Sequence, residues 1–363
     1  MSFGHSGGHK VQCNGSIVHS SNKVVGKGLL MTLRVGINGF GRIGRLVYRA
    51  MAKDPDIEVV AVNDLGDIRT MAHLLKYDSI HGRGFENVTT NASTITADGK
   101  SFTMLSEREP GNLPWGELGV DVVIESTGFF TDGVKAREHI LAGAKKVLIS
   151  APGKNVDKTI VMGVNDVDYR KEYDDVVSCS SCTTNCVAPI AKVLLINFGI
   201  RRGYLNSVHA FTNDQRILDL PHKDLRRARA ASESMIPTTT SAARSVMVVL
   251  PQLNGRLDGF AMRVPVPDGS MIDFTVELDR EVTIKEINAA MKEAAEGSMK
   301  GIIEYCEDPI VSIDVIGNAH SAVFDSGLTM VLGGSGNFVK CIAWYDNEWG
   351  YSNRVKDFAK LML

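Results

Sequence analysis

The chain has 363 residues, 44% of them hydrophobic and 23% charged, with a formal net charge of −2. That length accommodates two domains, each large enough to bury a core of its own. The near-neutral balance gives no support for a nucleic acid or an anionic membrane as partner, and no apolar run approaches the roughly 18 residues of a membrane span.

Residues 1–30 are rich in Gly, Ser and His and show neither helical nor strand periodicity. They lack the charged start and long apolar core of a secretory signal. They are expected to be a disordered extension, with the folded chain beginning near Met31. Six cysteines (Cys13, Cys179, Cys182, Cys186, Cys306 and Cys341) are too few for a disulfide framework, and three crowd into eight positions. That spacing fits a reducing compartment and a reactive thiol, so a cytoplasmic protein is expected.

Leu33–Asn38 reads as a buried strand, and Ile43, Leu46, Val47, Ala50 and Met51 then recur at helical spacing. Between them lies Gly39-Phe40-Gly41-Arg42-Ile43-Gly44, the GxGxxG pattern. Alone it is weak. Its context strengthens it, because Ile57–Val62 forms a second apolar strand and Asp64 ends it twenty residues beyond Gly44. Glycines there permit a tight turn and close approach to a pyrophosphate, whose charge the helix N-terminus stabilises. An acidic side chain at the second strand end accepts from both ribose hydroxyls and repels a 2′-phosphate, which favours NAD over NADP. A glycine-rich turn in some other doubly wound protein is the alternative.

Val122–Ile124 and Lys146–Ile149 are two further apolar strands, separated by a helical stretch over Val134–Ala142. Continuous apolar strands alternating with helices indicate a parallel doubly wound sheet. Thr94–Met104 is expected to add short antiparallel strands to it. From about Asn206 the texture changes: Val208–Phe211, Arg256–Val266, Met271–Leu278, Thr329–Leu332 and Phe338–Trp344 read as strands, with one helix over Thr283–Ala295. That pattern is α+β with a mostly antiparallel sheet. Asn213–Ile236, a long basic stretch without periodicity, reads as a functional or interfacial loop. The expected organisation is an α/β, doubly wound dinucleotide-binding domain over residues 31–181, an α+β catalytic domain over 182–346, and a helix over 347–363 that completes the first domain.

Between the two textures lies Ser180-Ser181-Cys182-Thr183-Thr184-Asn185-Cys186, with His209 downstream. Val187, Ile190, Ala191, Leu194 and Leu195 follow at helical spacing, which puts Cys182 at a helix N-terminus. Pro189 is a local conflict. Free N–H groups and the helix dipole there stabilise a thiolate, and a nearby imidazole lowers the thiol pKa further. An inert core cysteine is the usual alternative, and the flanking Ser and Thr residues argue against it; for Cys186 the inert reading prevails. Cys179 and Cys182 also satisfy CxxC, but no second CxxC or paired histidines complete a metal set, so no metal is expected. A nucleophilic sulfur beside a hydride acceptor points first to oxidation of an aldehyde through a thioester.

These segments, together with Asp224–Ala230, Arg263-Val264-Pro265 and Trp344–Ser352, resemble the phosphorylating, NAD-dependent glyceraldehyde-3-phosphate dehydrogenase family from about Leu33 to the C-terminus. The resemblance implies conversion of glyceraldehyde 3-phosphate to 1,3-bisphosphoglycerate, with Cys182 as nucleophile and His209 as its base. It implies that Ser181, Thr183, Thr212, Arg227, Thr240, Ser241 and Arg263 surround the substrate phosphate and inorganic phosphate. Gly39, Gly41, Arg42, Ile43, Asp64, Arg108, Ser150 and Asn347 would contact NAD, Asn347 orienting the nicotinamide carboxamide. It further implies a homotetramer built partly through the 213–236 loop. The sequence departs from the family at Ser241, which stands where Gly is usual, and at Gly66, Cys179 and Val266. An erythrose-4-phosphate dehydrogenase, with water in place of phosphate as acyl acceptor, is the nearest alternative activity. A non-catalytic binding role for the same fold is the alternative of a different class.

Overall fold

The structure, a computed structural model, describes residues Thr32–Leu363; the expectations for residues 1–30 and for Cys13 lie outside the described residues. Nine strands form the first sheet. In chain order they are β1 (Leu33–Asn38), β2 (Ile57–Asn63), β3 (Val88–Thr90), β4 (Thr94–Ala97), β5 (Lys100–Leu105), β6 (Val122–Glu125), β7 (Lys146–Ile149), β8 (Lys158–Thr159) and β9 (Val176–Ser178). Their spatial order is β8-β9-β7-β6-β1-β2-β5-β4-β3. Pairing is parallel from β8 through to β5, and antiparallel only for β4 and β3. The expected antiparallel addition therefore holds for Thr94–Ala97, whereas Lys100–Leu105 joins the parallel ladder beside β2. The run order reverses at β1, whose neighbours are β2 and β6, and a crevice at such a switch point is where open α/β sheets bind ligands.

The second sheet contains β10 (Arg202–Ala210), β11 (Ile236–Thr238), β12 (Leu257–Val264), β13 (Ser270–Thr283), β14 (Ile303–Cys306), β15 (Ala322–Asp325) and β16 (Ser335–Tyr345), ordered β11-β12-β10-β13-β16-β15-β14. Most pairs are antiparallel, but β10 and β12 run parallel, as do β14 and β15. The parallel pair matters for the site, because it sets His209 opposite Arg263 in register.

Among the described residues six helices of eight or more residues pack on these sheets: α1 (Arg42–Met51), α2 (Ile68–Lys76), α3 (Cys182–Phe198), α4 (Ala242–Val249), α5 (Ile284–Glu296) and α6 (Trp349–Leu361). Among the described residues none is long and apolar enough to cross a membrane. The expected helix over Val134–Ala142 is two short helices, Gly133–Ala136 and Glu138–Leu141. One helix in the second half is too few. The sequence reading misses α4, a short element whose apolar Ala242, Ala243, Val246 and Val249 follow a threonine run.

Among the described residues two large apolar cores and two small clusters result; the large ones position the site. One is built on the second sheet with α3, α4 and α5; the other joins the first sheet to α1 and to Tyr351, Val355, Phe358 and Ala359 of α6. Helix α3 is apolar on nearly every face and runs unbroken through Pro189. Burial of its side chains outweighs the one backbone hydrogen bond that proline forfeits. Cys182, at its first position, packs against both cores.

Candidate active site

The fingerprint turn is shaped by what its glycines exclude. Gly39 has φ +93°, and a Cβ there would lie 2.6 Å from the Thr127 backbone nitrogen; a Cβ on Gly44 would lie 2.1 Å from the Gly39 carbonyl oxygen. A Cβ on Gly41 would meet nothing within 4 Å, so that glycine borders open space. Helix α1 begins there with no side-chain cap and no acidic residue in its first turn. Its free N–H groups and positive dipole end face the opening, a fit for a pyrophosphate. Asp64 sits beside the turn, Oδ2 accepting from Phe40 N–H at 2.7 Å and Oδ1 from Gly66 N–H at 2.9 Å. A carboxylate has lone pairs left over for ribose hydroxyls.

A cavity of about 560 Å³ runs past Gly39, Gly41, Asp64, Arg108 and the exposed Phe129. It shares Ser126 with a second cavity of about 830 Å³, lined by Arg42, Ile43, Ser150, Ser181, Cys182, His209, Thr212, Arg263 and Asn347. A dinucleotide laid across the glycine turn would put one nucleoside beside Asp64 and the other beside Cys182. Asp64→Asn, which removes charge with little change of shape, is expected to lower NAD-over-NADP selectivity at least about tenfold, since hydrogen bonds to charged groups contribute about 1.5–3 kcal/mol. Parallel titrations with the two cofactors check this.

Ser180 precedes the thiol centre in the left-handed region at φ 59°, a strained conformation for a residue with a side chain, and it turns the chain sharply into α3. Ser181 caps the helix, its Oγ accepting from Thr184 N–H at 3.1 Å. Cys182 Sγ then lies 3.4 Å from His209 Nε2. The imidazole Nδ1 lies 2.7 Å from the Ala210 carbonyl oxygen, which can only accept, so Nδ1 carries the proton and Nε2 presents its lone pair to sulfur. Arg263 Nη1, 3.2 Å from the same Nδ1, cannot donate to it and donates instead to Ala210 O at 3.1 Å and Thr212 Oγ1 at 2.9 Å.

The electrostatics differ from the expected resting thiolate. Burial pushes the Cys182 thiol up to about 11, outweighing Arg263 and the Thr183 N–H, which act the other way. Burial, helped by Arg263, pushes His209 down to about 3. Burial thus favours a neutral thiol donating to a neutral imidazole, a pair across which the proton can pass to Nε2. The N–H of Cys182, at the first helical position, is beyond intrahelical pairing and can donate to an oxyanion.

Arg263 is mostly buried, and its Nε has no hydrogen-bond partner. A guanidinium in a cavity wall, paired through Nη1 but with its Nε–H unpartnered, fits an anionic ligand. Beside it, Asp214 bonds the Thr212 hydroxyl and Arg227, which also donates to Thr238 Oγ1 at 2.8 Å. Burial pushes the Asp214 carboxyl up, but Thr212, Arg263 and Arg227 outweigh it and hold it below the ordinary carboxylate range.

The expected site residues separate into groups. Ser181, Thr212 and Arg263 gather around Cys182 and His209 in one cavity. Thr183 does not face it; its hydroxyl lies 2.9 Å from the Tyr345 hydroxyl. Arg227, Thr240 and Ser241 stand outside the cavity wall, Arg227 connected to it through Asp214 and Thr240 Oγ1 accepting from Ala242 N–H at 3.1 Å. The Arg42 side chain turns away from the glycine turn to Glu348 and Asp78. Ser150 Oγ donates to Glu125 O at 3.0 Å. Asn347 Oδ1 accepts from Ser270 Oγ at 2.6 Å, the same hydroxyl accepting from Ala210 N–H, and this arrangement leaves the Asn347 NH₂ for the cavity. Cys179, Cys182 and Cys186 are all free thiols, Cys179 buried and Asn185 Nδ2 donating to its carbonyl.

Sequence reasoning missed Asp214, Phe129, Ile80 and Tyr351 as lining residues. Phe129 was within reach, four residues beyond the carboxyl end of β6, where a doubly wound sheet opens its crevice. Ile80 and Tyr351 carry no local signal, since they arrive from remote segments.

A family model described as Glyceraldehyde 3-phosphate dehydrogenase, NAD binding domain, matches residues 33–133, and one described as the C-terminal domain of the same enzyme matches residues 181–347. Glyceraldehyde-3-phosphate dehydrogenase 2 of Streptomyces avermitilis is 61% identical over 328 residues, covering 90% of this chain and 97% of the relative. Glyceraldehyde-3-phosphate dehydrogenase of Streptomyces coelicolor is 63% identical over 329 residues, covering 90% and 97%. That of Geobacillus stearothermophilus is 59% identical over 329 residues, covering 91% and 98%.

Proposed function

Because this chain belongs to the glyceraldehyde 3-phosphate dehydrogenase family, we propose that it oxidises glyceraldehyde 3-phosphate to 1,3-bisphosphoglycerate with reduction of NAD, inorganic phosphate being the acyl acceptor. The contact that supports this most is Cys182 Sγ at 3.4 Å from His209 Nε2, in a cavity that continues to the glycine turn. Residues 31–181, completed by 347–363, form the NAD-binding domain in this reading, and 182–346 the catalytic domain.

His209 Nε2 takes the Cys182 proton as sulfur attacks the aldehyde carbon, giving a hemithioacetal. The developing oxyanion faces the Cys182 N–H and the imidazolium; removing one such donor typically costs about 10²–10³ in rate. Bound NAD supplies the hydride acceptor. The oxyanion collapses to the carbonyl of the thioester as its carbon gives up hydride, the proton staying on His209 Nε2. A phosphate oxygen then attacks that carbonyl, the phosphate's own proton goes to solvent, and sulfur leaves as thiolate and takes back the proton held on His209 as the acyl phosphate departs. Arg263 and Thr212 hold the phosphate groups, with Arg227, Thr240 and Ser241 ringing them from outside the cavity wall and Ser181 and Thr183 at the start of α3. Gly39, Gly41, Arg42, Ile43, Asp64, Arg108 and Ser150 hold NAD, and the Asn347 NH₂ meets its carboxamide.

The protein is further proposed to be a cytoplasmic homotetramer. Ile217, Leu218, Leu220 and Leu225 are exposed on the 213–236 loop, which supports an interface there. NADH formation from glyceraldehyde 3-phosphate is expected to require inorganic phosphate for sustained turnover. Equal steady-state rates with and without phosphate reject the phosphorylating reaction and leave hydrolysis of the thioester.

A further inference from the structure

Away from the thiol, the densest cluster of ionisable groups surrounds His81. This residue follows α2, in the turn of a two-stranded hairpin, Tyr77–Asp78 with Gly82–Arg83. Its ring is almost wholly buried among four carboxylates. Nε2 lies 3.0 Å from Asp346 Oδ2 and 3.3 Å from Asp268 Oδ2; Nδ1 lies 3.7 Å from both Asp78 Oδ1 and Glu348 Oε2. The other cation in contact is Arg42, bound to Glu348 and Asp78. Arg49 and Lys53 of α1 stand further out, Arg49 donating to Gly82 O and Lys53 lying over the Trp349 ring.

The two carboxylates on Nε2 belong to the two segments that fix Asn347. Asp346 precedes it, and its Oδ1 accepts from Glu348 N–H at 2.9 Å and Trp349 N–H at 2.6 Å, so it holds the chain just beyond Asn347, where α6 begins. Asp268 is two residues before Ser270, the residue whose hydroxyl sets the Asn347 amide. Pro267, Asn347, Glu348, Ser79 and Ile80 all line the cavity that contains Cys182. The imidazole thus bridges two loops, one from each side of Asn347, directly behind the cavity wall.

We propose that His81 is a positioning residue for the cofactor, a clamp that draws Asp346 and Asp268 together and so fixes the Asn347 amide at the nicotinamide end of the cleft. The inference rests on the reading of Asn347 given above. A bare Nδ1 lone pair would face two carboxylate oxygens, so the ring carries both protons. Burial alone pushes the imidazole down, but the surrounding carboxylates of Asp268, Asp346 and Asp78 outweigh burial and push it up to about 11. The ligand atoms of His81, Asp268 and Glu348 come within 4.8 Å of one another, as a metal set would. With both nitrogens protonated the ring offers no lone pair, and it is itself the cation of the cluster. Asp268, whose carboxyl burial and the neighbouring Asp346 and Glu348 push up, has no hydrogen-bond partner for its Oδ2 and meets the imidazolium as a charge across 3.3 Å.

The test compares NAD with ADP-ribose, which keeps the adenosine, pyrophosphate and second ribose but lacks the nicotinamide. Dissociation constants for both are measured on the full chain and on His81→Gln, Asp268→Ala and Asn347→Ala. His81→Gln is expected to weaken NAD about tenfold, the effect of a loosened hydrogen bond, while ADP-ribose stays within about twofold. Alkylation of Cys182 by iodoacetamide in the absence of cofactor is expected to keep its wild-type rate, which separates a local effect from general damage. Equal weakening of both ligands, or of neither, overturns the clamp. Should His81→Gln fail to fold, Asp268→Ala takes its place, and the same pair of dissociation constants decides for or against the clamp. Asn347→Ala separates the clamp from the role given to Asn347 itself. If it separates NAD from ADP-ribose and His81→Gln does not, only the clamp falls; if it does not separate them, the reading of Asn347 falls and the clamp with it.

Discussion

Cys182→Ala is expected to abolish NADH formation, a loss of roughly 10⁵-fold or more, because removing a covalent nucleophile removes the route and not one contribution to it. The variant is expected to bind NAD nearly as wild type does. Cys182 forms one wall of a cavity of about 830 Å³, and the glycine turn and Asp64, proposed to contact the rest of the dinucleotide, line a separate cavity. Folding is expected to survive as well, since the sulfur leaves from a half-buried position rather than from the centre of a core. Steady-state assays and a fluorescence titration with NAD measure the two effects separately. Activity above about one per cent of wild type removes Cys182 from the role of nucleophile.

For His209→Asn the expected loss in kcat is about 10²–10⁴, the range for removal of a positioned general base. The reason is visible in the charges. Burial pushes the Cys182 thiol up to about 11, so without a base only a fraction on the order of 10⁻⁴ is thiolate at neutral pH. Alkylation by iodoacetamide near pH 7 is accordingly expected to slow sharply in the variant. Between neutral pH and about 10 its rate is expected to rise close to tenfold per pH unit, because each unit of pH below the thiol pKa multiplies the thiolate tenfold. Wild-type protein, with Nε2 at 3.4 Å to receive the proton, is expected to show a much flatter profile. Identical alkylation kinetics in the two proteins exclude His209 as the activating base, whatever happens to kcat.

Much of the fold is legible because its signals are local. The strand from Leu33 to Asn38, the glycine turn and the helix after it are encoded within twenty consecutive residues, and a Cβ at Gly39 or Gly44 has nowhere to go. Helix α5 carries its own start signal, a reciprocal pair between Thr283 and Glu286, and falls within a residue of its expected span. Helix α4 was missed because eight residues with a weak periodicity are held by packing against α3 and β12, which no local window contains. The same distinction runs through the site. Cys182 and Asp64 are marked by their immediate neighbours, whereas Asp214 and His81 act through partners that the chain brings back from afar: Asp346 follows His81 by 265 residues.

The sequence by itself determined the chemistry on offer: a thiol opening a helix, a histidine on a strand, and a turn stripped of side chains for a dinucleotide. Those features depend on residue type and short spacing, which chain order preserves. Tertiary structure decided how the parts act on one another. It is the parallel pairing of β10 with β12 that sets Arg263 beside His209, and packing around α3 that buries Cys182 enough to keep its proton until a base takes it. Hydrogen-bond geometry, in which Ala210 O claims the Nδ1 proton, leaves Nε2 as the acceptor. Charge, burial and tautomer depend on which remote groups come within a few ångströms, and that is a property of the folded chain alone.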